Sequence, residues 1–557
     1  MPRSRTFSRL APLGLFPSLV AVLAGACSAT STPPGQTSAG TGGSGTTSTG
    51  QGGDLIDASS GTGGGGEPVQ DPKTCAEAAA NRTYVGCDFW PTVVDNVVRK
   101  DFDYAVVVAN AGDEPASVTV TRNGAMLASV DVAPTSLQTI YLPWVEELKA
   151  TTSILACTPT DVKTATVDAK GGAYHLVATR PVTVYQFNAI EYAGKGGPPG
   201  KDWTECMKPC LPGVGCFSYT NDASLLLPST ALTGTFRITG ESSWADPDNS
   251  FEYPPYIAVT GLSNGTSVTV KLSSTASVAG GSGIQGAGPG GTVTFALAQG
   301  EVVELVGGMG SDLSGSLVTA SAPVQVIAGI SCSYIPHDSP ACDHLEESVL
   351  PAETLGKHYF VTRPTGPHGT PVGHVVRLYG NVDGTNLTYP GKNPGGPSTI
   401  QAGEMVDLGI VNDDFEIVGD HELSVGTFMT GASLADPGIP LDQQKGDPSQ
   451  SQAVTVEQFR KKYVFLAPSD YDISFVDVVA PNGTTLTLDG QTVSAPPSDL
   501  GSGYGVARVQ LGPGNGGAHV LLASAPVGIQ VMGYGTYTSY QYPGGLNLTA
   551  ISPPPPK

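Results

Sequence analysis

The chain has 557 residues and carries 49 Asp and Glu against 27 Lys and Arg, a formal net charge of −22 at pH 7. A body this acidic is repelled by nucleic acid, whose binding rests on Lys and Arg, and by anionic headgroups; the same charge favours a soluble monomer. With 73 Gly and 46 Pro among many Val and Thr, and helix formers confined to short stretches, the composition predicts an all-β protein rich in turns.

The N-terminus carries Arg3, Arg5 and Arg9, then an apolar run over 10–22, then Leu23-Ala24-Gly25-Ala26-Cys27. A basic region, a short apolar region and small residues before a cut predict a secretory signal over 1–26. The run is shorter than the ~20 residues that a membrane-spanning helix needs. Small residues directly before Cys27 resemble the lipobox of bacterial lipoproteins, with Leu23 one place further out than in the commonest form. The resemblance implies that Cys27 is acylated and becomes the new N-terminus. Residues 28–72 are nearly all Gly, Ser, Thr, Pro, Ala and Gln, with no aromatic residue. Such a segment cannot bury enough apolar surface to order itself, and as a coil it reaches roughly 35–40 Å. A lipidated Cys27 on a linker over 27–72 predicts a body held off a bilayer.

The body, about 73–550, repeats a grammar of strands. Tyr104 to Ala109 is a β-branched run; Ser117-Val118-Thr119-Val120-Thr121 alternates and leads into Asn123-Gly124, a hairpin turn pair. The same order returns around Asn264-Gly265 and Asn482-Gly483. A second element closes each unit: Pro181-Val182-Thr183-Val184, Pro323-Val324-Gln325-Val326 and Pro526-Val527-Gly528-Ile529, with a worn copy at Val425. A third element is expected to open units and precedes an aromatic strand: Ser224 to Pro228 before Phe236, and Glu347 to Pro351 before Tyr359. Spacings near 100–200 residues exceed a propeller blade and suit complete sandwiches. The expected organisation is four Ig-like β-sandwich modules in tandem, at 73–217, 218–344, 345–445 and 446–550, with a Pro-rich tail at 551–557. Short helical connectors are expected near Trp144 and near Val456.

Setting Cys27 aside leaves Cys75, Cys87, Cys157, Cys206, Cys210, Cys216, Cys332 and Cys342. An even number in an exported chain predicts disulfides. Short loops favour Cys75 with Cys87 and Cys332 with Cys342, which leaves Cys157 to the cluster of Cys206, Cys210 and Cys216; connectivity does not follow from sequence.

Chemistry-bearing patterns are thin. His421-Glu422 begins like a zinc-protease helix, but Val425 stands where the second His must be. Asp246, Asp248, Asn249 and Glu252 have the density of a calcium loop, yet Ile257 occupies the twelfth place; Asn412-Asp413-Asp414 is a lesser candidate. Cys332, His337, Cys342 and His344 could close a zinc site, against which stands a disulfide hairpin with surface histidines. Gly501-Ser502-Gly503-Tyr504-Gly505 lacks the central Ser of a nucleophile elbow. No catalytic residue, metal or cofactor is expected. Tyr534, Tyr537, Tyr540 and Tyr542, and Phe251, Tyr253 and Tyr256, read equally as contact surface or as edge strands.

Gly86-Cys87-Asp88-Phe89-Trp90-Pro91, Gln186-Phe187-Asn188, Cys342-Asp343-His344-Leu345-Glu346-Glu347, Tyr463 to Pro468, and Gln530 to Gly535 ahead of Tyr542 resemble the IgGFc-binding protein N-terminal domain family over about 80–550. The resemblance implies a binding or adhesive module and supplies no catalytic residues. The expected protein is a non-enzymatic, monomeric cell-surface or outer-membrane lipoprotein that contacts the membrane through its anchor and takes an extracellular protein or glycan, not nucleic acid. The alternatives are a secreted hydrolase and a passive envelope spacer.

Overall fold

Two kinds of strand are already distinct in residue pattern. Continuous β-branched runs suit strands buried on both faces, and alternating runs suit strands with one wet face. The computed structural model describes residues 72–152, 159–206, 216–218, 220–246, 251–440, 443–494, 497–511 and 517–555. Cys27, the linker, Cys157 and Cys210 lie outside them. In it the run β1 (Tyr104–Asn110) is buried at every position, whereas Ala116–Arg122 alternates. Asn123 and Gly124 both take positive φ, 51° and 76°, as the hairpin between Ala116–Arg122 and Ala125–Val132 requires.

The protein is all-β and its sheets are antiparallel. One sheet contains β1, β2 (Ser136–Leu142), β3 (His175–Asn188) and β4 (Asp222–Leu225) in the spatial order β4-β3-β1-β2. The same order recurs three times. Strands β5 (Pro255–Gly261), β6 (Val302–Val306), β7 (Val324–Ser333) and β8 (Asp343–Ser348) lie as β8-β7-β5-β6. Next, β9 (His374–Gly380), β10 (Met405–Val411), β11 (Leu423–Met429) and β12 (Ser449–Gln452) lie as β12-β11-β9-β10. Last, β13 (Ile473–Pro481), β14 (Tyr504–Leu511), β15 (Gly517–Gly535) and β16 (Thr538–Pro543) lie as β16-β15-β13-β14.

Each set is accompanied by a second group of short strands. The second set, for example, has Thr235–Arg237, Leu317–Ala320, Thr266–Lys271 and Thr292–Leu297 in that order. The closing motif marks where the chain passes between the two. In β3, residues up to Ala178 pair with Ala116–Arg122, and residues from Thr183 pair with β1. Pro181 sits at the crossing, where the ladder is interrupted and a missing N–H costs nothing. Pro526 holds the same place in β15, between pairing with Arg460–Ala467 and pairing with β13. In the second set the strand is broken at Ser321-Ala322-Pro323.

Two expectations change. The segments at Ser224 and Glu347 do not open new units: β4 pairs with β3 and β8 pairs with β7, so hydrogen bonding assigns each to the preceding sheet. The connectors are also shorter than expected. Near Trp144 there is a single turn, closed by Leu148 and Lys149 N–H to Val145 O. Val456–Gln458 is one 3₁₀ turn, after which the continuously buried run Tyr463–Ala467 belongs to a strand that starts at Arg460.

Hydrophobic side chains of the first, second and fourth sets merge into one core, which includes Tyr185, Val259, Val326, Phe465, Val531 and Tyr542. Gly329 in β7 faces Tyr256 across the ladder. A Cβ there would stand 2.0 Å from Leu345 O and 2.4 Å from Tyr256 Oη. Gly329→Ala is therefore expected to lower stability by about 2–3 kcal/mol, read as a lower urea midpoint; an unchanged midpoint would contradict this packing.

Candidate functional site: the polar junction of the inner strands

The last strand of each set faces inward, and the four meet. β4 lies against β8, β8 against β12, β12 against β16, and β16 returns to β4, a closed cycle of buried strands. Their residues are polar where a core would be apolar: Asp222 and Ser224, then Asp343, His344, Glu346 and Glu347, then Ser449, Gln450 and Gln452, then Thr538, Ser539 and Gln541. Buried polar groups usually find partners; here some find them across the strand boundaries, while Asp343 Oδ2, Glu347 Oε2, Gln450 Oε1 and Gln541 Oε1 are buried without one.

Asp222 is the most connected. Its carboxylate accepts from Ala223 N at 2.9 Å, Glu346 N at 3.2 Å, Ser449 Oγ at 3.0 Å and Gln450 N at 3.3 Å, which joins three inner strands. Beside it, Thr538 Oγ1 donates to Asn221 Oδ1 at 2.9 Å, and Ser539 Oγ donates to Asp447 O. Gln452 Nε2 reaches Ser348 O at 3.0 Å, and Gln530 Nε2 reaches Gln452 O at 2.7 Å. Glu346 accepts from Asn188 Nδ2 at 2.5 Å, Ser224 Oγ at 3.2 Å and Gln186 Nε2.

Burial dominates the electrostatics. It pushes Glu346 up to about 8 against the pull of Gln186, Ser224 and Asn188. It raises Asp222, Asp343, Glu347 and Asp447 well above the usual carboxylate range, with Asp447 adding to the rise of Asp343. Burial likewise depresses His344 to about 3. Burial thus favours the protonated form of these carboxyls, and amides and hydroxyls make up the rest of the junction.

The residues singled out from sequence are distributed elsewhere. Disulfides join Cys75 to Cys87, Cys206 to Cys216 and Cys332 to Cys342. Both sulfurs of the proposed zinc loop are thus committed to each other. His337 Nε2 lies 3.2 Å from Glu241, but His344 is fully buried against Glu346 and Tyr256, so the expectation of surface histidines fails for His344. Asp414 takes a bidentate contact from Arg508 at 3.0 Å and Asp413 pairs with Lys392 at 2.5 Å, which occupies the oxygens a calcium ion would need. Glu252 accepts from Gly310 N at 2.6 Å, while Asp248 and Asn249 lie outside the described residues.

The aromatic clusters are core. Tyr534, Tyr540 and Tyr542 are fully buried, as are Tyr253 and Tyr256. Tyr540 Oη meets Ser474 Oγ at 2.9 Å and Tyr542 Oη donates to Leu466 O. Tyr540 and Tyr542 lie on the inner strand β16, Tyr534 on β15 and Tyr256 on β5, whereas Phe251 and Tyr537 are half-buried. Where Ser, His and Glu do meet, the order is unsuited to nucleophilic catalysis: Ser502 and His358 both bond Glu416, so the hydroxyl faces a carboxylate and not the imidazole.

Sequence reasoning missed Asp222, Gln186 and Glu346 as a set, though Asp343-His344-Leu345-Glu346-Glu347, four ionisable residues in a strand, was a signal. It also missed a buried ion pair between the second and third sets. Arg377 on β9 contacts Glu241 at 2.7 Å and Asp407 at 3.0 Å, and the guanidinium holds Glu241 at about 2 in spite of burial.

The titrations give a sign. Glu346 (about 8), Asp95 and Glu191 (about 7) and Asp477 (about 6), all raised by burial, keep protons in the folded state that the unfolded chain has released. Their contribution to stability falls as pH rises from about 4 through 8. His344 and His374, depressed to about 3 and about 4, act oppositely below about 6.5, but they are fewer. The urea midpoint is expected to be higher at about pH 5 than at about pH 8; the reverse order would contradict protonated carboxyls in the folded protein.

A family model described as IgGFc binding protein matches residues 222–533, from the first residue of β4 into β15. The IgGFc-binding protein of Homo sapiens is 26% identical over 249 residues, which is 44% of this chain and 4% of that protein. The chain thus spans a small part of that relative's length. Among solved structures, an anti-sigma factor domain-containing protein from Clostridium clariflavum aligns over 58% of this chain and 83% of its own, at 14% identity and a TM-score of 0.11, too slight a likeness to carry an argument. With more than half of its length matched, from the inner strand of the first set through the second and third sets and into the fourth, the chain belongs to the IgGFc binding protein family.

Proposed function

We propose that this protein is a non-enzymatic binding protein of the cell exterior, held to a bilayer by acylated Cys27 and presenting four sandwich modules on the linker 27–72. The observation that carries the binding reading is the family match over 222–533. The human relative's name states that it binds the Fc region of IgG; here the ligand is taken as an extracellular protein or glycan, with Fc one protein to be tried. Three disulfides support an oxidising compartment. Among the described residues no helix is long and apolar enough to cross a membrane, and attachment is assigned to the acyl chains. The module boundaries near 217, 344 and 445 are included in the proposal, each shifted C-terminally to take in the inner strand that pairs with the preceding sheet.

Cross-strand bonds at the junction support a binding role: the contacts of Asp222 with Glu346 N, Ser449 Oγ and Gln450 N tie three of the sets together and would fix the relative placement of the loops at their rims. A monomer fits the strongly acidic surface.

Two measurements test this reading. Labelled palmitate should enter the wild-type protein and be lost in Cys27→Ala; equal labelling in both would refute the anchor. Probed on arrays of extracellular proteins, Fc included, and of glycans, the folded body should retain a saturable ligand without altering it, whereas turnover of an arrayed polymer would favour a hydrolase.

A further inference from the structure

Lys149 follows the turn at Trp144 and is only 4% exposed. Its Nζ donates to Asn96 Oδ1 at 2.7 Å, to Asn96 O at 3.4 Å and to Val98 O, and lies 4.5 Å from the centre of the Trp144 ring. Asn96 is fully buried, and its carboxamide is fixed from the other side. Nδ2 donates to Val94 O at 2.8 Å and to Asn188 Oδ1 at 3.4 Å. The neighbouring Asp95 is 2% exposed and has one carboxyl oxygen with no partner.

A buried amine in contact with a buried carboxamide is an unreacted pair. Water is excluded, so hydrolysis does not compete, and the fold replaces a bimolecular encounter with an intramolecular one, equivalent to about 10⁵–10⁸ M. We propose that Lys149 and Asn96 become joined by an isopeptide bond in the folded protein. The step balances without a co-reactant. Nζ attacks the side-chain carbonyl carbon of Asn96 and the Nζ–C bond forms. The C–Nδ2 bond breaks, one Nζ proton passes to the departing nitrogen, and ammonia leaves.

The amine must be neutral to attack. Burial lowers Lys149 to about 7, and the largest opposing influence is Asp95, itself raised to about 7 by burial. The bond would tie the segment before β1 to the segment after β2, in the set nearest the proposed anchor. There it would hold after reduction of the disulfides.

Peptide mapping of the reduced full chain, purified folded, tests this. One peptide containing Asn96 joined to one containing Lys149, lighter together by one ammonia, is the expected result, with the two peptides separate in Lys149→Arg and in Asn96→Ala. Both wild-type peptides at their free masses would overturn the proposal. So would ammonia loss without joining, the mark of a succinimide at Asn123-Gly124, Asn264-Gly265 or Asn482-Gly483. Because the wild-type map decides, a variant that fails to fold leaves the test intact.

Discussion

Asp222 is a buried carboxyl that accepts four hydrogen bonds, from its own strand and from two neighbouring inner strands, and the architecture turns on that convergence. Around it the last strand of every set meets the next, and the fourth returns to the first. A sandwich of about seven strands can close its own core. Where the last strands of the four sets meet, pulling one set away would trade these buried hydrogen bonds for water and expose the apolar core that the first, second and fourth sets share. Both losses favour one arrangement. The apolar core points the same way, since the rings of Tyr185 of β3 and Tyr542 of β16 lie with centres 4.9 Å apart, tilted by 43°, although they belong to the first and last sets.

This division of labour explains what could be read from residues alone. The fully buried runs of β1 and β5, the alternating outer strands and the Asn123-Gly124 turn follow local rules of side-chain period and backbone sterics, and the structure has them. The Pro-Val closing motif was visible as a repeat, but its meaning, a chain passing between two layers at a residue with no N–H, needed the pairing partners. The inner strands were misleading for a physical reason. Burial at a junction between modules places Asp, Glu, Ser and Gln where one sheet alone would place Val and Ile, so β8 reads as a polar surface or a ligand set. The tyrosines of β16 fail in mirror image: a Tyr next to Ser and Thr reads as surface, yet its hydroxyl bonds a buried carbonyl or hydroxyl and the ring fills the core.

The same physics bears on function. A site that does chemistry gathers a nucleophile, a base and an electrophilic pocket. The buried ionisable groups here are instead turned on strand backbones and on one another, as Asp222 and Glu346 are, or paired with a cation, as Glu241 is with Arg377. They hold modules in register. In the proposed binding role, a partner would meet the rim of loops that this centre positions. The match over 222–533 also takes in the strands on which the junction depends in the second and third sets, together with Asp222.

Hydrogen–deuterium exchange of the folded chain tests the central claim most directly. If the inner strands form one cooperative junction, the protected amides of Asp222–Leu225, Asp343–Ser348, Ser449–Gln452 and Thr538–Pro543 exchange together, at the opening free energy of the whole body, and Asp222→Ala accelerates all four at once. Independent exchange, with the variant loosening β4 and leaving the other three strands as protected as before, would show four sandwiches that merely touch.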